Sequence, residues 1–172
     1  MTLAKKLGKQ LEQVKDDIQV KKITIDLGEV KFDLKVRVPL KKDMEAMNAR
    51  ILTPAKEKVD EVFERIAGPM RKTLEEGGED FIKALNENKQ SVTLTDDDLI
   101  VDGTSLRQVA QYQAIEEARV EEFFHLLVSE TGEPVTESFD EISAEFPEFA
   151  IREIVQEIQA TIAPDYKSTK KN

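Results

Sequence analysis

Ile23-Thr24-Ile25-Asp26-Leu27-Gly28-Glu29-Val30-Lys31-Phe32-Asp33-Leu34-Lys35-Val36-Arg37-Val38 is the run on which the fold of this 172-residue chain turns. Ile23, Ile25 and Leu27 alternate with polar residues, and so do Val30, Phe32, Leu34, Val36 and Val38. A period of two places alternate side chains on opposite faces of a strand, so the run reads as two strands, each with one apolar face. Gly28 permits a tight connection between them, which makes an antiparallel hairpin the simplest pairing. A lone hairpin is marginal in water and needs a cover for its apolar side. The segments after Pro39 have helical spacing and supply that cover.

Composition sets the outer bounds. The length suits one domain with a real core and no need of metal or disulfide staples. Hydrophobic residues are 40% and charged residues 35%, which suits a small helical protein with much exposed helix surface. Cysteine is absent, so disulfides and thiolate chemistry are excluded. No apolar run approaches the roughly 20 residues of a membrane helix, and the first residues lack a secretory h-region, so the expectation is a cytosolic protein without a membrane partner. Net charge is −10, but it is unevenly spread: residues 1–42 carry +5, residues 43–164 carry −17, and residues 165–172 carry +2. An acidic body disfavours nucleic acid, whose phosphates need clustered cations. The basic N-terminal part can meet an acidic partner or the acidic part of another copy, but the simpler reading of the charge is a solvated surface that keeps a helical protein soluble.

Leu3, Leu7, Leu11, Val14 and Ile18 recur at helical spacing, so residues 1–20 form an amphipathic helix across Gly8 or a mobile arm that orders on a partner. Lys41 to Leu52 resumes as helix behind Pro39. Thr53-Pro54 then reads as a cap and first helical position, and the new helix carries Val59, Val62, Phe63 and Ile66 until Gly68-Pro69 ends it. Met70–Glu76 and Phe81–Asn86 read as helical pieces parted by Gly77-Gly78. From Ser91 the alternation of Val92 and Leu94, then Leu99-Ile100-Val101 and Asp102-Gly103, predicts a second hairpin or an extended crossing segment. The longest helix is expected from Ser105 to Ser129. Phe139, Ile142 and Phe146 mark a short helix ended by Pro147, and Phe149 to Ile162 a last one ended by Pro164. The expected fold is therefore α+β, predominantly α-helical, with an N-terminal β-hairpin packed against a small helical bundle. Residues 21–164 are read as a single domain, and residues 165–172 as a disordered, Lys-rich tail.

No catalytic constellation emerges. A single His125 excludes a triad or a site needing two histidines within one chain. Glu122 and His125 have the E-x-x-H spacing of di-iron bundles, but such a site needs a second pair. The aspartates before Gly103 lack the ligand spacing of an EF-hand, and Gly77-Gly78 is followed by acids that repel phosphate. Paired glutamates are expected on solvated helix faces of so acidic a chain. The reading is of a non-enzyme with no cofactor and no metal.

The C-terminal third is more informative, since Phe123, Phe124, Phe139, Phe146 and Phe149 hold five of the eight phenylalanines within 27 residues. Part of this set is core, where short helices pack on the long one. The rest can line a groove for an apolar helix of another protein. On apolar placement, the candidate partner-binding residues are Phe123, Phe124, Leu127, Phe139, Phe146 and Phe149.

The hairpin run leading through Pro39 into a helix with Met44-Glu45, the Asp102-Gly103 turn opening a long helix, and the small Phe139–Phe146 helix before Pro147 together resemble the tail assembly chaperones of long-tailed bacteriophages. The likeness is one of element order over residues 22–160. It implies a non-enzymatic protein of the host cytoplasm, absent from the mature virion. Such a protein binds the apolar, helical tape measure protein, keeps it from aggregating and helps recruit tail tube subunits. Homo-oligomerisation is expected from the amount of apolar surface. The alternative is a small acidic oligomeric phage or bacterial regulator or inhibitor that acts by protein binding.

Overall fold

The computed structural model describes residues 1–163 of the chain. In order, the elements are α1 (Leu3–Leu7), α2 (Lys9–Gln19), β1 (Val20–Asp26), β2 (Lys31–Arg37), α3 (Lys41–Leu52), α4 (Lys56–Glu87), β3 (Val92–Leu94), β4 (Leu99–Val101), β5 (Thr104–Ser105), α5 (Leu106–Phe124), α6 (Phe139–Glu145) and α7 (Glu148–Ile162). This is an α+β fold dominated by helix, with the N-terminal hairpin packed on helices. The tail expected at residues 165–172 lies outside the described residues. By its contacts the chain groups into two compact units. One comprises Met1–Asn48 and the segment from Arg119 onward; the other is Ala49–Ala118.

In the first unit β1 and β2 pair antiparallel, with Lys21 opposite Val36, Ile23 opposite Leu34 and Ile25 opposite Phe32. The connection turns at Gly28, whose φ of 88° is costly for a residue with a Cβ, and Leu27 N donates to Val30 O at 2.8 Å. The polar face is bridged by Lys22–Asp33 and Lys31–Asp26 ion pairs in the open. On the apolar face Ile23, Ile25 and Val36 are buried, and α7 packs on β1 with Ile151, Ile154 and Ile158 buried along its length. The N-terminal segment is not one helix. Gly8, at φ 140°, separates α1 from α2, and neither helix buries a residue.

The second unit is built around α4. Contrary to the sequence expectation, Gly68-Pro69 does not end this helix, and Pro69 lies inside it. The apolar stripe Val59, Val62, Phe63, Ala67 and Leu74 stays in register across the proline. Burial of that stripe with Val92, Leu99, Ala110 and Ala114 outweighs the roughly 3 kcal/mol that an interior proline costs. The true break is at Gly78, with φ 72° and ψ −175°. Strands β3, β4 and β5 form an antiparallel meander, and the β4–β5 turn is made by Asp102 and Gly103, both at positive φ. Arg71 and Arg107 place their guanidinium groups 5.4 and 4.1 Å from the centre of the buried Phe63 ring. Glu117, 2% exposed, is held by Arg65 and by Lys58 at 3.3 Å.

Candidate partner-binding cleft

The helix expected to reach Ser129 stops at Phe124, and the reason lies in β2. That strand has β1 on one edge only, and the chain after α5 supplies partners for the other. Arg37 N donates to Leu126 O at 2.9 Å and Val128 N to Lys35 O at 2.8 Å, with Leu127 bridged opposite Val36. Backbone groups otherwise left open on a sheet edge are satisfied there, and helical bonding gives way to i→i+3 turns at Leu126 and Leu127.

The same rearrangement leaves a cleft of about 290 Å³. Its floor is Phe124, Ile142 and Ile154; Phe32 and Leu34 of β2 form one wall, and Leu127, Val135 and Phe146 the remainder. Burial along β2 falls from Val36, which is fully buried, to the half-buried Leu34 and Phe32. The apolar face of the hairpin thus runs out from under its helical cover into the cleft. Phe124 and Phe146 meet with ring centroids 6.2 Å apart, tilted 51°. Three carboxylates, Glu137, Glu141 and Glu145, stand among the lining residues.

Helix α6 is fixed by polar bonds. Ser138 and Glu141 form a capping box: Glu141 N donates to Ser138 Oγ at 3.3 Å, and Ser138 N to Glu141 Oε2 at 2.7 Å. The backbone N–H of Ser138, then its hydroxyl, hold the Glu141 carboxyl below its ordinary range, so it is charged at neutral pH. Phe139 N donates to Glu121 Oε2 at 3.0 Å, and His125 Nε2 donates to Glu137 O at 2.8 Å. His125 is thereby a strut between the end of α5 and the segment leading into α6. Among the described residues no cluster of acids and histidine is spaced to hold a metal ion, and no helix is long and apolar enough to cross a membrane.

The six residues proposed from sequence separate by position. Phe124, Leu127 and Phe146 line the cleft. Phe123, 3% exposed, lies in the core, and Phe139 is half-buried at the start of α6. Phe149, on the first turn of α7, is 62% exposed and outside the lining, whereas Phe146 is 40% exposed within it. Sequence reasoning missed Phe32, Leu34, Val135, Ile142, Ile154 and the three glutamates. Phe32 and Leu34 carried a signal, since they share a strand face with Val36, but period two says which face is apolar and not where its cover stops. In comparisons with known proteins, no family model matches this chain, and no match was found to a curated protein or to a solved structure.

Proposed function

We propose that this protein is a non-enzymatic chaperone whose cleft receives the apolar face of a client helix. One observation carries the reading: a preformed apolar cleft bordered by carboxylates, with a large aromatic residue left 40% exposed at Phe146. An amphipathic helix laid in such a groove anchors through side chains at i, i+3 or i+4. A client with lysine or arginine flanking those anchors would meet Glu137, Glu141 and Glu145. The order of elements along the chain, with its resemblance to tail assembly chaperones, supports a tape measure protein as the client and tail tube subunits as later partners. The work would be done in the cytoplasm of an infected host, and the protein would leave before the virion is complete.

The test pairs binding with stability. Phe146→Ser and Phe149→Ser alter exposed side chains, whereas Phe124→Ala removes a buried ring and is expected to cost about 3–5 kcal/mol of stability. Calorimetry with tape measure fragments should show Phe146→Ser weakening binding tenfold or more, at a loss of stability well below that of Phe124→Ala. Phe149→Ser reports whether the surface extends beyond the cleft. Absence of binding by every fragment, or weakening that always tracks lost stability, refutes the proposal. A different helical client on the same residues would favour the acidic regulator over the tail chaperone.

A further inference from the structure

The N-terminal arm carries apolar residues on two helices, α1 and α2, neither of which buries a residue. Leu3 and Leu7 on α1 are 70% and 66% exposed; on α2 Leu11 is half-buried, and Val14 and Ile18 are exposed. Lys5, Lys6 and Lys9 flank the first two leucines, and residues 1–11 contain no acidic residue. The cleft described above has the complementary character: an apolar floor and three glutamates among its lining residues.

We infer that the arm of one copy docks in the cleft of a second copy, with Leu3 and Leu7 seated on Phe124 and Phe146 and the lysines against Glu137, Glu141 and Glu145. The inference rests on reading the cleft as a site for an apolar helix. The arm's attachment favours a second copy over its own cleft. Gln19 O accepts from Val38 N at 2.7 Å, and Gln19 Nε2 donates to Val38 O at 3.2 Å, which pins the end of α2 beside the C-terminal end of β2. With α2 so anchored, Leu3, Leu7 and Ile18 stand exposed, so the arm of a chain does not fill its own cleft; a second copy has no such restraint. Reciprocal exchange closes a two-fold dimer, and one-way exchange builds a chain of copies. In either arrangement the arm occupies the place of the client, so assembly and client binding compete.

Sedimentation of the full chain over a wide concentration range tests this. The parent should self-associate, and Leu3→Ser with Leu7→Ser should weaken association tenfold or more with no change in the melting temperature of the dilute, dissociated chain, because both side chains are exposed there. Lys5→Glu with Lys6→Glu should do the same, and adding Glu137→Lys with Glu145→Lys should restore association. Phe146→Ser should weaken it from the other side. A parent that stays monomeric, or arm or cleft substitutions that leave association unchanged, overturns the inference. Client binding is read separately: the arm variants should bind a tape measure fragment at least as tightly as the parent, since the competing arm is gone. If self-association obeys these substitutions while no fragment binds, the chaperone proposal fails and arm exchange stands. If fragments bind and association ignores the arm, the reverse holds.

Discussion

Glu117 offers the sharpest test of the second unit, because its environment predicts an order of mutant stabilities that intuition reverses. The carboxylate is 2% exposed, while Arg65 and Lys58 are 46% and 31% exposed. Oε1 accepts from Arg65 and from Gln113 Nε2 at 3.3 Å, and Oε2 lies 3.3 Å from Lys58 Nζ. At that separation and an effective dielectric of about 20, one ion pair is worth about 5 kcal/mol before desolvation. Taking the carboxylate out of water costs several kcal/mol, so the net benefit of the cluster is small. Arg65→Met removes one cation and leaves the buried charge to Lys58 alone, with an expected loss of about 2–4 kcal/mol. Glu117→Met replaces the carboxylate with an apolar side chain of similar size and lets both cations keep their water; the expected change is within about 1.5 kcal/mol. Adding Arg65→Met to Glu117→Met should then cost little more, a coupling of about 2 kcal/mol in the double-mutant cycle. Urea unfolding followed by far-UV circular dichroism measures all four forms. Alkaline pH gives a second readout. Partial burial is the largest influence on Lys58 and lowers its pKa, but hydrogen bonding and attraction from Glu117, then Glu61, outweigh it and leave the value raised. A raised ammonium stabilises fully below its ordinary value of about 10.4 and loses that contribution as pH climbs through the folded value. The parent should therefore lose stability above about pH 10.5 more steeply than Glu117→Met. An Arg65→Met variant more stable than Glu117→Met, or a coupling below about 0.5 kcal/mol, refutes this account of the cluster.

Asp98 contributes to the acid limb of the same unit. Burial, the largest influence, raises its pKa, but bonds from the Ser105 hydroxyl and the Arg107 and Leu99 backbone N–H groups outweigh it and leave the carboxyl lowered. A lowered carboxyl stabilises above its ordinary value of about 3.9 and loses that contribution as pH falls through the folded value, so Asp98→Asn should flatten the acid limb below about pH 4 in a titrated melt. Gly78 tests the kink in α4: with φ 72° and ψ −175°, Gly78→Ala should cost about 1–3 kcal/mol in thermal unfolding. A raised melting temperature would show instead that the helix straightens freely.

Local chemistry alone determined much of this protein. Alternation from Ile23 to Val38 specified the hairpin because a strand's side-chain period is two, and Asp102-Gly103 specified a turn because both residues tolerate positive φ. Phe139, Ile142 and Phe146 before Pro147 marked α6 by their helical spacing; the capping box of Ser138 with Glu141 is a start signal in adjacent residues that the sequence reading did not use. Tertiary structure decided what local rules could not weigh. Pro69 reads as a stop, yet α4 runs through it because its buried stripe outweighs the local penalty. Phe124 reads as mid-helix, yet α5 ends there because residues 126–128 bond the open edge of β2, a partner some 90 residues earlier in the chain. The cleft followed from that ending. Phe32 and Leu34 meet Phe124, Phe146 and Ile154 only after segments distant in sequence have packed, so no spacing within any one of them could announce the site. Periodicity assigns a residue to a face; only packing settles whether that face is covered, and by what.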